Sequence, residues 1–357
     1  MPESTKIINT SKNKKFFLTK LLLTLFFILS ALPFYAQEYK IITAKNGDGI
    51  YKVLRENNIP SSYFNEFIDL NKATLKGKQE LKTGFRYKLP NVGNQSIPEI
   101  NENNQANFPG KTIKRFSIFG SKYQDVIIES DELSGAVFHL VSGHGGPDPG
   151  AVAKYNNKTL CEDEYAYDIT LRLARSLIAK GATVNMIIRD PDDGIRDGWY
   201  LAPDKDEVCY PNLTIPINQN ARLKQRTEAV NKLYGQNKGK YQRLIVIHVD
   251  SRSKGEKIDV FFYYDKRSKN GKKLANNLRN IFDQKYQQHQ PGRGYHGSVT
   301  ERNLYVLKYS YPVAAYVELG NINHHRDLLR FIVDENRQAL AKWLTEGLVN
   351  DFVNNRE

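Results

Sequence analysis

Side chains that can bind a metal ion or transfer a proton follow three apolar segments of the chain. His144 lies in the glycine-rich stretch 143–150, and His248 and Glu318 each end an apolar segment. Two histidines and one carboxylate can hold zinc and leave its fourth position to water. A further carboxylate beside that water can act as a general base. A single histidine after a strand is more often a packing residue, so the prediction of a hydrolytic zinc site depends on the whole set.

The carboxylate ligand is predicted at the start of a helix, where three acids stand in a row: Glu162, Asp163 and Glu164. Apolar side chains recur at helical spacing from Ala166 onward, and Glu162 continues this inward stripe. Glu164 lies about 160° from Ala166 around the helix and is predicted to face solvent. We therefore expect Glu162 to be the ligand and the other two acids to be ordinary first-turn residues that favour the helix dipole.

Apolar segments that predict buried strands alternate with amphipathic segments beyond Ala136. The predicted strands are 137–141, 183–188, 244–247 and 313–317, and the predicted helices lie near 163–180, 219–235, 270–288 and 326–352. Such alternation is typical of an α/β domain with a mostly parallel sheet flanked by helices. Sites in open sheets of this kind form just beyond the carboxyl ends of the strands. His144, His248 and Glu318 all fall at such ends.

The first 36 residues have the pattern of a secretory signal peptide. Four lysines between Lys12 and Lys20 precede the apolar stretch Leu21–Leu29, and a small residue, Ala36, stands before a polar one. The stretch is shorter than the ~20 residues that span a bilayer, and an uncleaved anchor is the alternative. The full chain carries a net charge of +13, of which the first 36 residues supply +4, so the exported protein would remain basic at about +9. We expect a periplasmic or wall-associated protein whose partner is an acidic or sugar polymer, and no nucleic acid.

Residues 37–90 form a second, smaller predicted unit. A strand, the turn Gly47-Asp48-Gly49, two helices and a last strand that stops at Pro90 give the order β-α-α-β. With Asn71 and Gly84, this pattern resembles a LysM domain. The resemblance implies that the unit binds glycans containing N-acetylglucosamine in a shallow groove beside the turn. The alternative is a small capping domain without a ligand.

The polar, amide-rich stretch 91–112 is predicted to be a linker. The catalytic domain is then 113–357, and we expect it to begin with a hairpin between Phe116 and Glu129. Its segment Pro191–Asn218 is rich in aspartate and is interpreted as a surface loop or lid. Cys161 and Cys209 either form a disulfide or remain two buried thiols.

Several short motifs of the second domain occur together in one order. They are Gly143-His144-Gly145-Gly146, Asp148-Pro149-Gly150, the glutamate that opens the next helix, Ile247-His248, Tyr305-Val306-Leu307, Pro312 and Glu318-Leu319-Gly320. On these motifs, residues 135–353 resemble the zinc-dependent N-acetylmuramoyl-L-alanine amidases of type 3. Residues Asn321 and His324 depart from the family pattern and leave the lining of the cleft open. Arg226 matches a family arginine that we interpret as structural.

The resemblance implies that His144, Glu162 and His248 bind one Zn²⁺ ion and that Glu318 is the catalytic base. The ion would polarise the amide carbonyl between the lactyl group of muramic acid and L-alanine. Glu318 would take a proton from the zinc-bound water and pass it to the leaving amine. The implied substrate is peptidoglycan, and the implied role is wall remodelling and separation of daughter cells.

Two alternative functions use the same residues differently. The first is another zinc-dependent wall peptidase that cuts within the stem peptide, and the second is a non-catalytic peptidoglycan-binding protein. The complete set of three ligands and Glu318 argues against the second. A monomer is expected, and the need for an activator protein is left open. Only a short hairpin, 257–264, is predicted between Asp250 and the next helix, so we expect no helix that occludes the cleft.

Overall fold

The computed structural model describes residues 39–45, 48–57, 59, 63–76, 81–91, 112–252 and 258–355. The chain divides into two compact units, residues 1–103 and 104–357. The predicted signal peptide, 1–36, and all but the two end residues of the predicted linker, 91–112, lie outside the described residues. No helix in the part of the chain that the structure describes is long and apolar enough to cross a bilayer.

The first unit has the predicted β-α-α-β order with one additional short helix. Its elements are β1 (Ile41–Thr43), α1 (Ile50–Glu56), α2 (Phe64–Leu70), α3 (Lys72–Leu75) and β2 (Arg86–Lys88). The two strands pair antiparallel. The buried side chain of Asn71 donates hydrogen bonds to Phe67 O and Lys88 O and accepts one from Lys88 N, each at 2.8 Å. Asn71 thus joins the end of α2 to β2, while the LysM identity of the unit stays a prediction.

The second unit contains thirteen strands, six α-helices and a short 3₁₀ helix (Ser117–Phe119) among the described residues. The strands are β3 (Ile113–Arg115), β4 (Asp125–Ile127), β5 (Val137–Ser142), β6 (Val152–Tyr155), β7 (Lys158–Cys161), β8 (Thr183–Met186), β9 (Ile188–Arg189), β10 (Val208–Cys209), β11 (Leu213–Thr214), β12 (Gln242–Asp250), β13 (Phe261–Tyr264), β14 (Val299–Glu301) and β15 (Val313–Asn321). The helices are α4 (Glu162–Ala179), α5 (Gln219–Gln236), α6 (Lys269–His289), α7 (Tyr305–Tyr309), α8 (His325–Ile332) and α9 (Asp334–Asn354).

A six-stranded sheet forms the centre of this unit, in the order β14-β13-β15-β12-β5-β8. Adjacent strands in this sheet run parallel, except that β13 and β15 are antiparallel to each other. Alternate residues of each strand point to opposite faces. Ile245 and Ile247 pack with α4, α6 and α9 on one face, and Leu244 and Val246 pack with α5 and α7 on the other. The predicted α/β fold with a mostly parallel sheet between helices is confirmed.

Three local predictions differ from the structure. The helix predicted over 326–352 is two helices, because Val333 between α8 and α9 has an extended backbone. The predicted hairpin over 257–264 is wrong in its described part, since Phe261–Tyr264 is a strand that pairs with both β14 and β15. The hairpin predicted at 116–129 exists as the antiparallel pair of β3 and β4, but its first strand begins at Ile113, three residues earlier than predicted. Between Asp250 and Lys269, none of the described residues is helical.

Candidate metal centre

The loop after β5 carries His144 through a tight turn. His144 itself has φ of 59°, and Gly150 has φ of 67°. A Cβ atom on Gly150 would lie 2.6 Å from Glu162 Oε2 and 2.7 Å from the His144 ring, and one on Gly143 would collide with the ring of His248. Glycine is required at both positions because the backbone passes this close to three metal-capable side chains.

Glu162 is the first residue of α4 and is only 4% exposed. Its Oε2 accepts the N–H of Ala151 at 2.8 Å, and its Oε1 accepts the N–H of Val249 at 2.9 Å. Burial by itself raises the pKa of Glu162, but the hydrogen bond from His248 and the charges of the two histidines lower it overall. The carboxylate is therefore held ionised and in one position, as a metal ligand must be.

His248 faces Glu162 from the central strand β12. Its Nδ1 lies 2.8 Å from Glu162 Oε1. Its ring stacks on that of Tyr316, with centroids 4.5 Å apart and planes 16° apart. Burial lowers the pKa of His248, and Glu162 offsets part of this effect. A neutral imidazole is the form that binds a metal ion.

The structure brings together the three residues that the sequence predicted as ligands. His144, Glu162 and His248 each offer one ligand atom, and these atoms lie within 4.8 Å of one another. His144 Nε2 lies 3.3 Å from Glu162 Oε2. Two ligands on a tetrahedral zinc ion, each at ~2.0 Å from it, are separated by about 3.3 Å. Both the donor types and their spacing therefore fit Zn²⁺.

Asp148 orients the imidazole of His144 and was not assigned a role from the sequence. Its Oδ2 lies 2.9 Å from His144 Nδ1 and also accepts a hydrogen bond from Arg222. The bond from His144 and the charge of Arg222 lower the pKa of Asp148 well below its usual range. With Nδ1 held by this carboxylate, Nε2 is the nitrogen directed at Glu162. The sequence feature that could have indicated this role is the position of Asp148, four residues after His144.

Glu318 lies beside His248 in the sheet, because the two residues are direct partners in the parallel register of β12 and β15. Its Oε2 is buried and has no hydrogen-bond partner among the described residues. Burial, and then the negative charges of Glu162 and Asp250, raise the pKa of Glu318 well above its ordinary value. A carboxyl group with a free oxygen and a raised proton affinity is suited to general base catalysis.

A cavity of about 190 Å³ opens beside the metal-capable residues. Residues of β5, β12, β15, α5 and α7 and the adjoining loops line it, including His144, Asp148, Arg226, His248, Tyr305 and Tyr316. Arg226 donates a hydrogen bond to His144 O at 3.0 Å, and burial lowers its pKa to about 10. This bond to the His144 loop agrees with the structural role predicted for Arg226.

The prediction that Glu164 faces solvent is wrong, because Asp163 and Glu164 are each only 2% exposed. The segment between β9 and β10 covers them. Arg196 of this segment lies 2.8 Å from Glu164, and Glu207 of the same segment accepts the N–H of Gly146 at 2.6 Å. The loop that carries His144 is thus held by Glu207, a contact that no local sequence pattern signals.

The remaining histidines and the cysteines contribute packing and hydrogen bonds. His139 is fully buried, with Nε2 at 2.9 Å from Gln242 Oε1. His296 lies on a loop, where its N–H donates to Asp259. Cys161 and Cys209 are free, buried thiols, and burial raises the pKa of each to about 11.

The protein-family model described as N-acetylmuramoyl-L-alanine amidase matches residues 139–350. Among solved structures, the chain resembles an N-acetylmuramoyl-L-alanine amidase from Clostridium difficile 630 at 20% identity over 63% of this chain and 99% of that one, with a TM-score of 0.45. It also resembles the CwlD amidase of Clostridioides difficile, which was solved in complex with the GerS lipoprotein. The identity is 19% over 61% of this chain and 99% of that one, with a TM-score of 0.47.

A further similar structure is the N-acetylmuramyl-L-alanine amidase Ami1 from Mycobacterium smegmatis, at 16% identity over 62% of this chain and 99% of that one, with a TM-score of 0.45. No curated protein sequence matches this chain.

Proposed function

The chain belongs to the N-acetylmuramoyl-L-alanine amidase family, and we propose that it is a zinc-dependent hydrolase of the amide bond between N-acetylmuramic acid and L-alanine in peptidoglycan. The observation that carries the proposal is the meeting of His144, Glu162 and His248, whose ligand atoms lie within 4.8 Å of one another. Glu318, the partner of His248 in the neighbouring strand, supplies the acid–base group.

His144, Glu162 and His248 would hold the Zn²⁺ ion. When bound, the ion supplies a Lewis acid that polarises a carbonyl and makes water acidic enough to react near neutral pH. Hydrogen bonds within the protein fix two of the ligands that would hold the ion. Asp148 fixes the ring of His144, and the N–H groups of Ala151 and Val249 fix the carboxylate of Glu162. These contacts keep the ligands in position without the substrate.

Glu318 would act as the general base that takes a proton from the attacking water and returns it to the leaving amine of L-alanine. In the protein alone, burial and the charges of Glu162 and Asp250 raise the pKa of Glu318. The positive charge of a metal ion held by the three ligands would oppose this increase in pKa and favour the carboxylate form of Glu318. Its buried Oε2, without a partner among the described residues, is free to accept the proton.

The first unit would bind the glycan strand as a LysM domain. Support comes from the β-α-α-β order of the described elements and from a core that includes Ile50, Leu54, Phe67 and Tyr87. Two sites on one polymer raise the local substrate concentration at the cleft. We further propose that the protein is exported to the periplasm or the wall and acts in wall remodelling during separation of daughter cells.

The decisive experiment is mass spectrometry of the products that the zinc-loaded protein releases from purified peptidoglycan. Free stem peptides with a new amine on L-alanine are expected. Glu318→Gln should lower their release by about 10²–10⁴-fold, while Glu301→Gln, an exposed glutamate of the same sheet, should leave it unchanged.

Peptides cut within the stem would instead assign the protein to the wall peptidases. Binding to peptidoglycan without release of any peptide would favour the non-catalytic alternative, unless an added activator protein restores release.

A further inference from the structure

The two histidines of the candidate metal centre are oriented in different ways. Asp148 Oδ2 holds Nδ1 of His144 at 2.9 Å, which leaves Nε2 of that ring directed at Glu162. His248 instead directs its Nδ1 at Glu162, at 2.8 Å, and its Nε2 forms no hydrogen bond with any of the described residues. Metal-binding histidines usually have the second nitrogen fixed by such a bond. The orientation of the His248 ring therefore depends on other contacts.

Tyr316 covers one face of the His248 imidazole. The two ring centroids are 4.5 Å apart and the ring planes differ by 16°. The strand register explains the contact, because Tyr316 is the partner of Val246, two residues before His248, and alternate residues of a strand share one face of the sheet. The two rings are diagonal neighbours on adjacent strands, a separation that aromatic side chains can bridge.

Gly143 covers the opposite face of the same imidazole. It follows β5, which pairs with β12 on the side away from β15. A Cβ atom on Gly143 would lie 2.4 Å from Cε1 and Nδ1 of His248 and 2.7 Å from Cγ. Nearly equal distances to three ring atoms place the Gly143 backbone over the face of the ring and not at its edge. The imidazole is thus held between a backbone segment and an aromatic ring.

Tyr316 is itself held in place from the side away from His248. Its direct partner in the register of β13 is Tyr263, which is 5% exposed. The centroids of these two rings are 6.1 Å apart, with a tilt of 48°. A supporting side chain can fix a ligand when its own conformation is locked by packing. Tyr316 meets this condition, because it lies between Tyr263 and His248.

We propose that Tyr316 is the positioning residue of His248 and acts through its ring instead of through a hydrogen bond. Aromatic rings stacked in parallel planes attract each other, so the contact opposes rotation of the imidazole and keeps its Nδ1 directed at Glu162. Without the Tyr316 ring, the imidazole turns more freely and binds the metal ion less tightly. The inference rests on the zinc site of the proposed function but not on which bond the protein cleaves.

The zinc affinity of full-length variants tests this role. Tyr316→Leu removes the ring, whereas Tyr316→Phe keeps the ring and removes only the hydroxyl. In competitive titration with a chromophoric chelator, Tyr316→Leu should bind Zn²⁺ about tenfold more weakly, and Tyr316→Phe should bind it as tightly as the wild type. The matched control is Tyr264→Leu. Tyr264 is also buried, at 7% exposure, but packs on the opposite face of the sheet, so this variant should keep the affinity of the wild type.

Co²⁺ in place of Zn²⁺ reports on the geometry of the ligands through its visible absorption bands. Tyr316→Leu should change these bands, and Tyr316→Phe and Tyr264→Leu should not. Urea denaturation of the metal-free proteins checks that each variant folds cooperatively.

Equal zinc affinity and identical Co²⁺ spectra for the wild type and Tyr316→Leu would overturn the inference and leave the proposed function in place. Weakened binding by Tyr316→Phe would assign the effect to the hydroxyl, and equal weakening by Tyr264→Leu would assign it to a general loss of stability. Either result would overturn the role of the ring. A wild type that binds no Zn²⁺ would overturn the proposed function and this inference with it.

Discussion

Glu318 of β15 lies directly beside His248 of β12 in the register of the two parallel strands. Residues paired in this way point to the same face of the sheet. One edge therefore carries both a metal-capable imidazole and a carboxyl group whose Oε2 has no hydrogen-bond partner among the described residues. The strand β5, on the other side of β12, leads into the loop of His144 at the same edge. Because parallel strands end together, three separate parts of the sequence contribute to one site.

Asp148→Asn should weaken zinc binding without unfolding the protein. The substitution keeps the size of the side chain but removes the negative charge that holds His144 Nδ1 at 2.9 Å. Loss of such an orienting carboxylate lowers metal affinity by about 10–100-fold. Competitive titration with a chromophoric chelator measures the change, and Asp131→Asn, an exposed aspartate, is the control. Equal affinity of Asp148→Asn and the wild type would show that Asp148 does not position the ligand.

Gly150→Ala should abolish zinc binding because the new methyl group would lie 2.6 Å from Glu162 Oε2 and 2.7 Å from the ring of His144. Gly292→Ala is the matched control. Its φ is also positive, at 79°, but nothing lies within 4 Å of its Cβ position. Both variants carry the backbone strain of about 1–3 kcal/mol, and only Gly150→Ala should also lose the metal. Calorimetric titration with Zn²⁺ separates the two effects, and normal binding by Gly150→Ala would contradict the prediction.

Glu207→Gln should change how stability depends on pH. Burial, and then the charges of Glu164 and Asp204, raise the pKa of Glu207 from 4.5 to about 7. Between these two values the folded protein keeps a proton that the unfolded chain releases, so this group's contribution to stability falls as pH rises through the window. The loss is on the order of 2–3 kcal/mol.

Urea denaturation at pH 5 and pH 8, without added divalent cations, measures this effect. From pH 5 to pH 8, the wild type should lose more stability than Glu207→Gln, whereas Glu228→Gln, at an exposed position, should follow the wild type. Parallel pH profiles of the wild type and Glu207→Gln would contradict the assigned shift.

Arg337→Met should destabilise the second unit by about 3–5 kcal/mol, because it leaves a buried carboxylate with one partner fewer. Arg337 is fully buried, and its Nε donates to Asp168 Oδ2 at 2.6 Å. Its Nη2 also donates to the carbonyls of Arg196 and Gly198, at 2.7 Å and 3.0 Å. Urea denaturation measures the loss, and Arg326→Met, at an exposed position of the preceding helix, should cost little. A loss of similar size in both variants would show that the buried pair is not its cause.

The parts of the fold predicted from sequence are those with local periodicity. The strands around Leu140, Ile247 and Val317 are continuous apolar segments, and the helices beside them have one apolar face. The break at Val333 and the pairing of β13 with β14 and β15 were not predicted. A strand that pairs with two segments distant in sequence is chosen by tertiary contacts, which a local pattern does not contain.

The residues of the candidate site also divide into those that the sequence predicted and those that it did not. His144, His248 and Glu318 stand at strand ends, and Glu162 lies on the inner side of its helix, so their positions follow from residue type and spacing. The burial of Glu164 does not follow from them, since it depends on Arg196 in a segment without helical or strand periodicity. The hydrogen bond from the N–H of Gly146 to Glu207 is likewise a contact between distant parts of the chain.

The ligands of the metal centre differ in how firmly the backbone beneath them is held. His248 belongs to the central strand β12, which is paired on both sides, whereas His144 stands on a glycine-rich turn and its side chain is 26% exposed. Amide protons of β12 should exchange with solvent only on global unfolding, and those of the turn far sooner. We therefore expect Glu162 and His248 to form the half of the site that captures an incoming ion, and His144 to be the ligand that arrives last and leaves first.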